Sequence, residues 1–146
     1  MLPVLVDGEH VIRQSLAIIE YLEEKKPLPA LLPSDAAGKA RVRSLALMIA
    51  CDGQPLVNLR VRRYIASKMG LSEAGASVWL HHWMKLSLEE YEAALVGDAN
   101  GGSFSHGDSP TLADVCLVPQ ILMARDRKST RLNSSHIQKS RMPSSA

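Results

Sequence analysis

Two short stretches of this chain carry side chains whose types and spacing suit chemistry: Gln14-Ser15, and the run from Gln54 to Arg60. Gln14-Ser15 stands just before an apolar period at Leu16, Ile19 and Leu22, so it marks a helix start. The first amides of a helix have no partners within it, and the macrodipole makes that end positive. A serine placed there can grip a carboxylate through its amide and hydroxyl. The plain alternative is an N-cap with no ligand. Gln54 and Asn58 have i, i+4 spacing, which puts both amides on one helix face beside Pro55. Arg62 and Arg63 are expected on a solvated face.

Other candidates have better structural explanations. Adjacent helical residues point in different directions, so His81-His82 cannot easily ligate one ion. The chain has neither H-E-x-x-H nor C-x-x-C, and no metal site is expected. Thr111 and Asp114 have capping-box spacing, which explains Asp114 better than acid–base work. His106 is expected to be structural. Glu20, Glu23 and Glu24 read as a solvated helix face. Cys51 and Cys116 lie far apart in apolar stretches, so two buried, reduced thiols are expected, with a disulfide the minority reading.

These groups need elements to position them. Val4-Leu5-Val6 and Val11-Ile12 read as strands joined at Asp7-Gly8, a strong hairpin signal. Pro3 heads the first strand, and a cis bond before it would be a built feature. Pro27, Pro29 and Pro33 stiffen a linker. Ser34 or Asp35 caps a helix that buries Val42, Leu45, Ala46 and Ile49. Pro55 has no N–H to donate to Cys51 and crowds its carbonyl, so the helix should kink there. A further helix runs from about Glu73 to Val96, with Val78, Trp79, Trp83, Leu86, Tyr91 and Leu95 as its apolar or aromatic positions. A last one, Leu112 to Leu122, is apolar nearly all round, which predicts burial on every side.

Composition bounds the rest. The chain has 146 residues and is 46% hydrophobic, ordinary for a globular protein. No run of about 18 apolar residues is present, so no membrane span is expected. No basic segment followed by an apolar run opens the chain, and a cytoplasmic location is expected. The net charge of +2 hides an asymmetry. Residues 126–146 hold five of the 17 basic and one of the 15 acidic groups, leaving 12 and 14 in residues 1–125, a net of −2. A nucleic-acid partner is therefore not expected. Residues 126–146 resemble one translated frame of a common sequencing adapter, and they are expected to be a non-native, disordered tail.

Together these motifs resemble the zeta-class glutathione transferases, the maleylacetoacetate isomerases. The matching stretches are Leu2-Pro3, Gln14 to Glu23, Leu31-Leu32-Pro33, Ile49 to Asp52, Gln54-Pro55-Leu56, Asn58 to Val61, and His106-Gly107-Asp108 through Pro119-Gln120. The resemblance spans about Leu2 to Arg125. It implies a mainly α fold: an all-helical glutathione-transferase C-terminal domain, residues 34–125, preceded by a truncated thioredoxin-like ββα piece, residues 1–26, and a linker, residues 27–33. It implies glutathione as cofactor, a small dicarboxylate-type substrate, and a homodimeric full-length parent. Gln14 and Ser15 would hold the γ-glutamyl end, and the backbone of Leu2 the cysteinyl part. Gln54, Asn58, Leu59 and Arg60 would lean toward the ligand. The implied reaction is the glutathione-dependent isomerisation of maleylacetoacetate to fumarylacetoacetate, in phenylalanine and tyrosine breakdown. The family's thiolate-activating Ser-Ser-Cys type motif has no counterpart in this chain, so no catalytic residue is assigned and the chain alone is expected to be an inactive fragment. The rival reading is a non-catalytic binding or scaffold protein on the same fold.

Genomic sequencing of the locus checks the tail: the codons for residues 126–146 should be absent, and their presence would refute the adapter origin.

Overall fold

The computed structural model describes residues 3–126. Leu2, and with it the bond to Pro3, lies outside them, as do residues 127–146 of the stretch taken as a tail. The architecture is mainly α, as expected, with one hairpin ahead of a helical bundle. Strands β1 (Val4–Asp7) and β2 (His10–Arg13) pair antiparallel, with Val4 opposite Arg13 and Asp7 opposite His10. The turn is therefore Gly8-Glu9, one residue beyond Asp7-Gly8, and Gly8 takes φ 59, which a side chain rarely tolerates. Helix α1 (Ser15–Lys25) follows at once. Asp7 ties hairpin to helix by accepting from the Tyr21 hydroxyl at 2.7 Å and pairing with Lys25.

The segment after α1 has no regular structure, yet it is anchored at both sides. Glu23 accepts the amides of Leu31 and Leu32 at 2.9 and 3.1 Å, and Leu31 O accepts the amide of Leu112 at 2.9 Å. Glu20 pairs with Arg43 at 2.7 Å. Glu20 and Glu23 are thus ties rather than a purely solvated face, because both carboxylates find donors beyond their own helix. Leu28–Pro29 is a cis bond.

Asp35 caps α2 (Ala36–Leu47), accepting the Gly38 amide at 2.8 Å. Val42, Leu45, Ala46 and Ile49 are all buried, on the predicted stripe. The helix then widens into a π-helical stretch, Met48–Gly53, in which the amide of Gln54 bonds to Ile49 O. A single turn, α3 (Gln54–Val57), precedes a break at Asn58 and then α4 (Leu59–Ser67). Ser72 caps α5 (Glu73–Leu95) by accepting the amide of Gly75.

Helix α5 buries Leu80, Met84, Ser87, Leu88, Tyr91 and Leu95. The expected set missed the first part of this stripe, and Val78 points to solvent, 69% exposed. With apolar residues at Val78, Trp79, Leu80 and Trp83, several faces compete, and packing against the π-helical stretch and α3 selects one.

Helix α6 (Leu112–Asp126) buries Leu112, Ala113, Leu117, Gln120 and Ala124. Burial on every side does not hold among the described residues: Val115 and Leu122 are 40% and 52% exposed on the opposite face. The helix extends through Asp126, the first residue of the stretch taken as a tail. Its start is fixed by Asp114, which is 5% exposed. The Asp114 carboxylate accepts from Thr111 N and Oγ1, both at 2.8 Å, and from Ser105 N at 2.9 Å. The Thr111 hydroxyl donates to Asp114 rather than taking an amide, so the box closes on one carboxylate and reaches into the preceding loop.

Removing that carboxylate strands two buried amides and a hydroxyl. Asp114→Ala should lower unfolding free energy by about 2–4 kcal/mol, read from urea denaturation. A change within a few tenths would show that the box does not hold the loop to α6.

Candidate functional site

The hairpin delivers the chain to α1 through a strained residue. Gln14 stands at the helix head with φ 75 and ψ 125, a conformation that non-glycine residues rarely adopt. Such strain costs about 1–3 kcal/mol and persists only where the surroundings impose it. No side-chain cap bond closes this helix head, and its first turn contains no acidic residue. The amides of Ser15, Leu16 and Ala17 have no acceptor within the helix. Gln14 and Ser15 are both exposed. The helix end therefore presents donors and a positive dipole to solvent, next to a hydroxyl. That donor set fits a carboxylate.

The second group lies on the bend after α2. Gln54 is exposed at the first position of α3, and Leu59 and Arg60 are exposed at the start of α4. Asn58 differs from expectation. It takes ψ 160, so the helix breaks there and Gln54 and Asn58 do not share one continuous helical face. Asn58 Oδ1 accepts the amide of Val61 at 3.0 Å, and Nδ2 donates to Pro55 O at 2.9 Å. Its side chain holds the two short helices together across the break. Both groups hang on one apolar core: Leu16 and Ile19 of α1 pack against a cluster that includes Ile49 and Val57.

Several other readings change. Cys51 is exposed rather than buried, because the π-helical stretch turns it outward, whereas Cys116 is half-buried. Both thiols are free. Burial pushes the Cys116 thiol up to about 11, so it stays protonated near neutrality. Arg62 is half-buried, with its Nε buried, rather than on a solvated face. The His81 ring nitrogen Nδ1 lies 2.7 Å from Ser77 O on its own helix, a structural bond. No group of His, Cys, Asp and Glu among the described residues could hold a metal ion. No helix among them is long and apolar enough to cross a membrane.

One cluster went unnoticed in the sequence. Arg41 Nε donates to Asp98 at 2.6 Å, and its Nη1 donates to Ser105 O at 2.8 Å and lies 3.1 Å from His106 Nδ1. The residues lie far apart along the chain, and no periodicity links them. The cluster clasps the loop after α5 to α2, which gives His106 its structural role. The Asn100 amide and then Arg41 hold the Asp98 carboxyl down at about 2.

Comparison with known proteins gives a consistent picture. No protein-family profile matches the chain. It is 46% identical over 125 residues to a maleylpyruvate isomerase of a Ralstonia species, covering 86% of this chain and 59% of that protein. The chain thus spans little more than half the length of the curated relatives it matches. A holo structure of maleylpyruvate isomerase, a bacterial zeta-class glutathione S-transferase, superposes with TM-score 0.91 at 42% identity, over 96% of this chain and 66% of that one. A maleylpyruvate isomerase from Pseudomonas aeruginosa superposes with TM-score 0.88 at 34% identity, over 95% and 72%. A maleylacetoacetate isomerase from Methylobacterium extorquens, solved with bound malonate and glutathione, superposes with TM-score 0.91 at 32% identity, over 95% and 65%.

The lowered Asp98 carboxyl has a pH consequence. Its folded value lies below the ordinary 3.8, so its stabilising effect is complete above that value and is lost as pH falls through about 2. Denaturation midpoints should drop across that window, and Asp98→Asn should flatten the drop. An unchanged slope in the variant would show that the clasp does not contribute.

Proposed function

The chain belongs to the zeta class of glutathione transferases, and we propose that the whole protein is a glutathione-dependent cis–trans isomerase converting maleylacetoacetate to fumarylacetoacetate in phenylalanine and tyrosine breakdown. The observation that carries this reading is the head of α1: uncapped, without a local acidic residue, and reached through the left-handed backbone of Gln14. Residues 1–26 belong to the glutathione-binding domain, and residues 34–125 to the helical domain. Gln14 and Ser15 hold the γ-glutamyl carboxylate, and the backbone of Leu2 meets the cysteinyl part. Gln54, Leu59 and Arg60 line the side toward the substrate, with the Arg60 guanidinium gripping a substrate carboxylate. Asn58 acts through the bend it braces as well as by any contact of its own.

Glutathione supplies a thiolate nucleophile that relaxes the substrate's double bond. The residues of this chain bind and orient; none is assigned to activating the thiol. The whole protein works as a cytoplasmic homodimer. Malonate, bound together with glutathione in the Methylobacterium structure, supports a dicarboxylate-type substrate. The name of the Ralstonia relative, at 46% identity, favours a second substrate, maleylpyruvate. Both candidates are cis-configured diacids, and an assay of each with the whole protein separates them.

Kinetics test the residue roles. In the whole protein, Ser15→Ala should raise KM for glutathione about tenfold. Arg60→Ala should raise KM for the substrate and leave that for glutathione unchanged. Absence of isomerase activity, or a Ser15→Ala enzyme with an unaltered glutathione KM, would overturn this reading.

A further inference from the structure

The corner that carries Gln54, Leu59 and Arg60 is tied to α5 by Trp79. The Trp79 indole Nε1 donates to Leu56 O at 2.9 Å, from a position 23 residues further along the chain. In an unbroken helix Leu56 O would accept the amide of Arg60. The break at Asn58, with ψ 160, separates α3 from α4 and takes that amide away. The indole supplies the carbonyl with a donor from a neighbouring helix instead. Trp79 is half-buried and is backed by Trp83, one turn further along α5, with ring centroids 5.6 Å apart.

The other contacts of the corner set its direction less firmly. Asn58 braces it internally, between Pro55 O and Val61 N, without fixing it against the bundle. Val57 and Ile65 are each 2% exposed and seat the two short helices, but apolar contact is non-directional. Beyond the corner a cleft of about 230 Å³ lies between α4 and α5, with Arg62, Ser77 and His81 in its lining. A hydrogen bond weakens steeply off its axis, so the indole N–H fixes an angle that these contacts do not.

We propose that Trp79 is a positioning residue for substrate binding: its indole N–H aims the corner, and thereby the Arg60 guanidinium, at the substrate carboxylate. This rests on the role given to Arg60 in the proposed function. Trp79 acts through Leu56 O, without itself meeting glutathione or substrate. Loss of the N–H leaves Leu56 O without its donor and lets the corner turn on its apolar anchors. A guanidinium–carboxylate pair demands one geometry, so a small misplacement weakens it. The head of α1 lies outside this corner and keeps its grip on glutathione.

The test is steady-state kinetics of the whole protein carrying Trp79→Phe, which keeps an aromatic ring and removes the donor. The substrate KM should rise about fivefold, with kcat and the glutathione KM unchanged. A double-mutant cycle isolates the route: in the Arg60→Ala background, Trp79→Phe should add nothing, because the group it aims is gone. Where Trp79→Phe does not fold, benzothienylalanine incorporated at position 79 keeps the bicycle, replaces the N–H by sulfur, and should give the same rise. The inference alone is overturned if Arg60→Ala raises the substrate KM and loss of the indole N–H does not. It is equally overturned if the two effects multiply, or if the glutathione KM rises as much as that for the substrate, which marks a general loosening. If Arg60→Ala leaves the substrate KM unchanged, the role of Arg60 falls and this inference falls with it.

Discussion

Proline at position 55 has no amide hydrogen, and much of this structure arranges itself around that fact. A regular α-helix continuing from α2 would need a donor there for Cys51 O and would press the ring against that carbonyl. The chain opens instead into the wider turns of Met48–Gly53, with Gln54 N bonding to Ile49 O. Single stretches of π-helix often mark positions where a sequence holds a local distortion for use. Here the widening brings Gly53 against α5. A β-carbon on Gly53 would come within 2.2 Å of Ser87 Oγ, so glycine is required by close approach. Immediately beyond, Asn58 stitches the break by bonding back to Pro55 O and forward to Val61 N. The bend is thus a braced corner, and Gln54, Leu59 and Arg60 are carried on it.

The other half of the site is braced in a different way. The strain at Gln14 is imposed from both sides, by the register of β1 with β2 and by the docking of Leu16 and Ile19 on the helical core. Asp7 fastens the hairpin to α1, and Glu23 fastens α1 to the segment leading into α2. Leu31 O then receives the first amide of α6. These polar ties join the small β unit to the helices alongside the apolar docking of Leu16 and Ile19. The exposed positions Val115 and Leu122 show where the helical domain offers apolar surface on α6.

How much of this was legible in the sequence depended on whether the cause was local. The stripe Val42, Leu45, Ala46, Ile49 follows from helical periodicity, and each member is buried. The Asp35 cap, the hairpin and the spacing of Thr111 with Asp114 are equally local signals. The kink at Pro55 was legible because proline's defect is intrinsic, but the break at Asn58 was not. Asparagine at i, i+4 from Gln54 looks helical until its side chain is seen capping the next helix. Helix α5 hid its buried face because apolar residues occur around most of its first turns, and only the neighbouring helices choose among them. The clasp of Arg41 on Asp98 and the burial of Arg62 Nε are long-range results that no spacing rule reaches. The head of α1 was legible as a helix start from its residues, but its strained entry through Gln14 was not.

The central claim is that the head of α1 grips a carboxylate of glutathione. A crystal structure of the whole protein with glutathione tests it most directly. The account predicts the γ-glutamyl carboxylate within hydrogen-bond distance of both the Ser15 amide and its hydroxyl, with Gln14 keeping its left-handed backbone. Glutathione bound with that carboxylate elsewhere, and the Ser15 amide left to solvent, would contradict it.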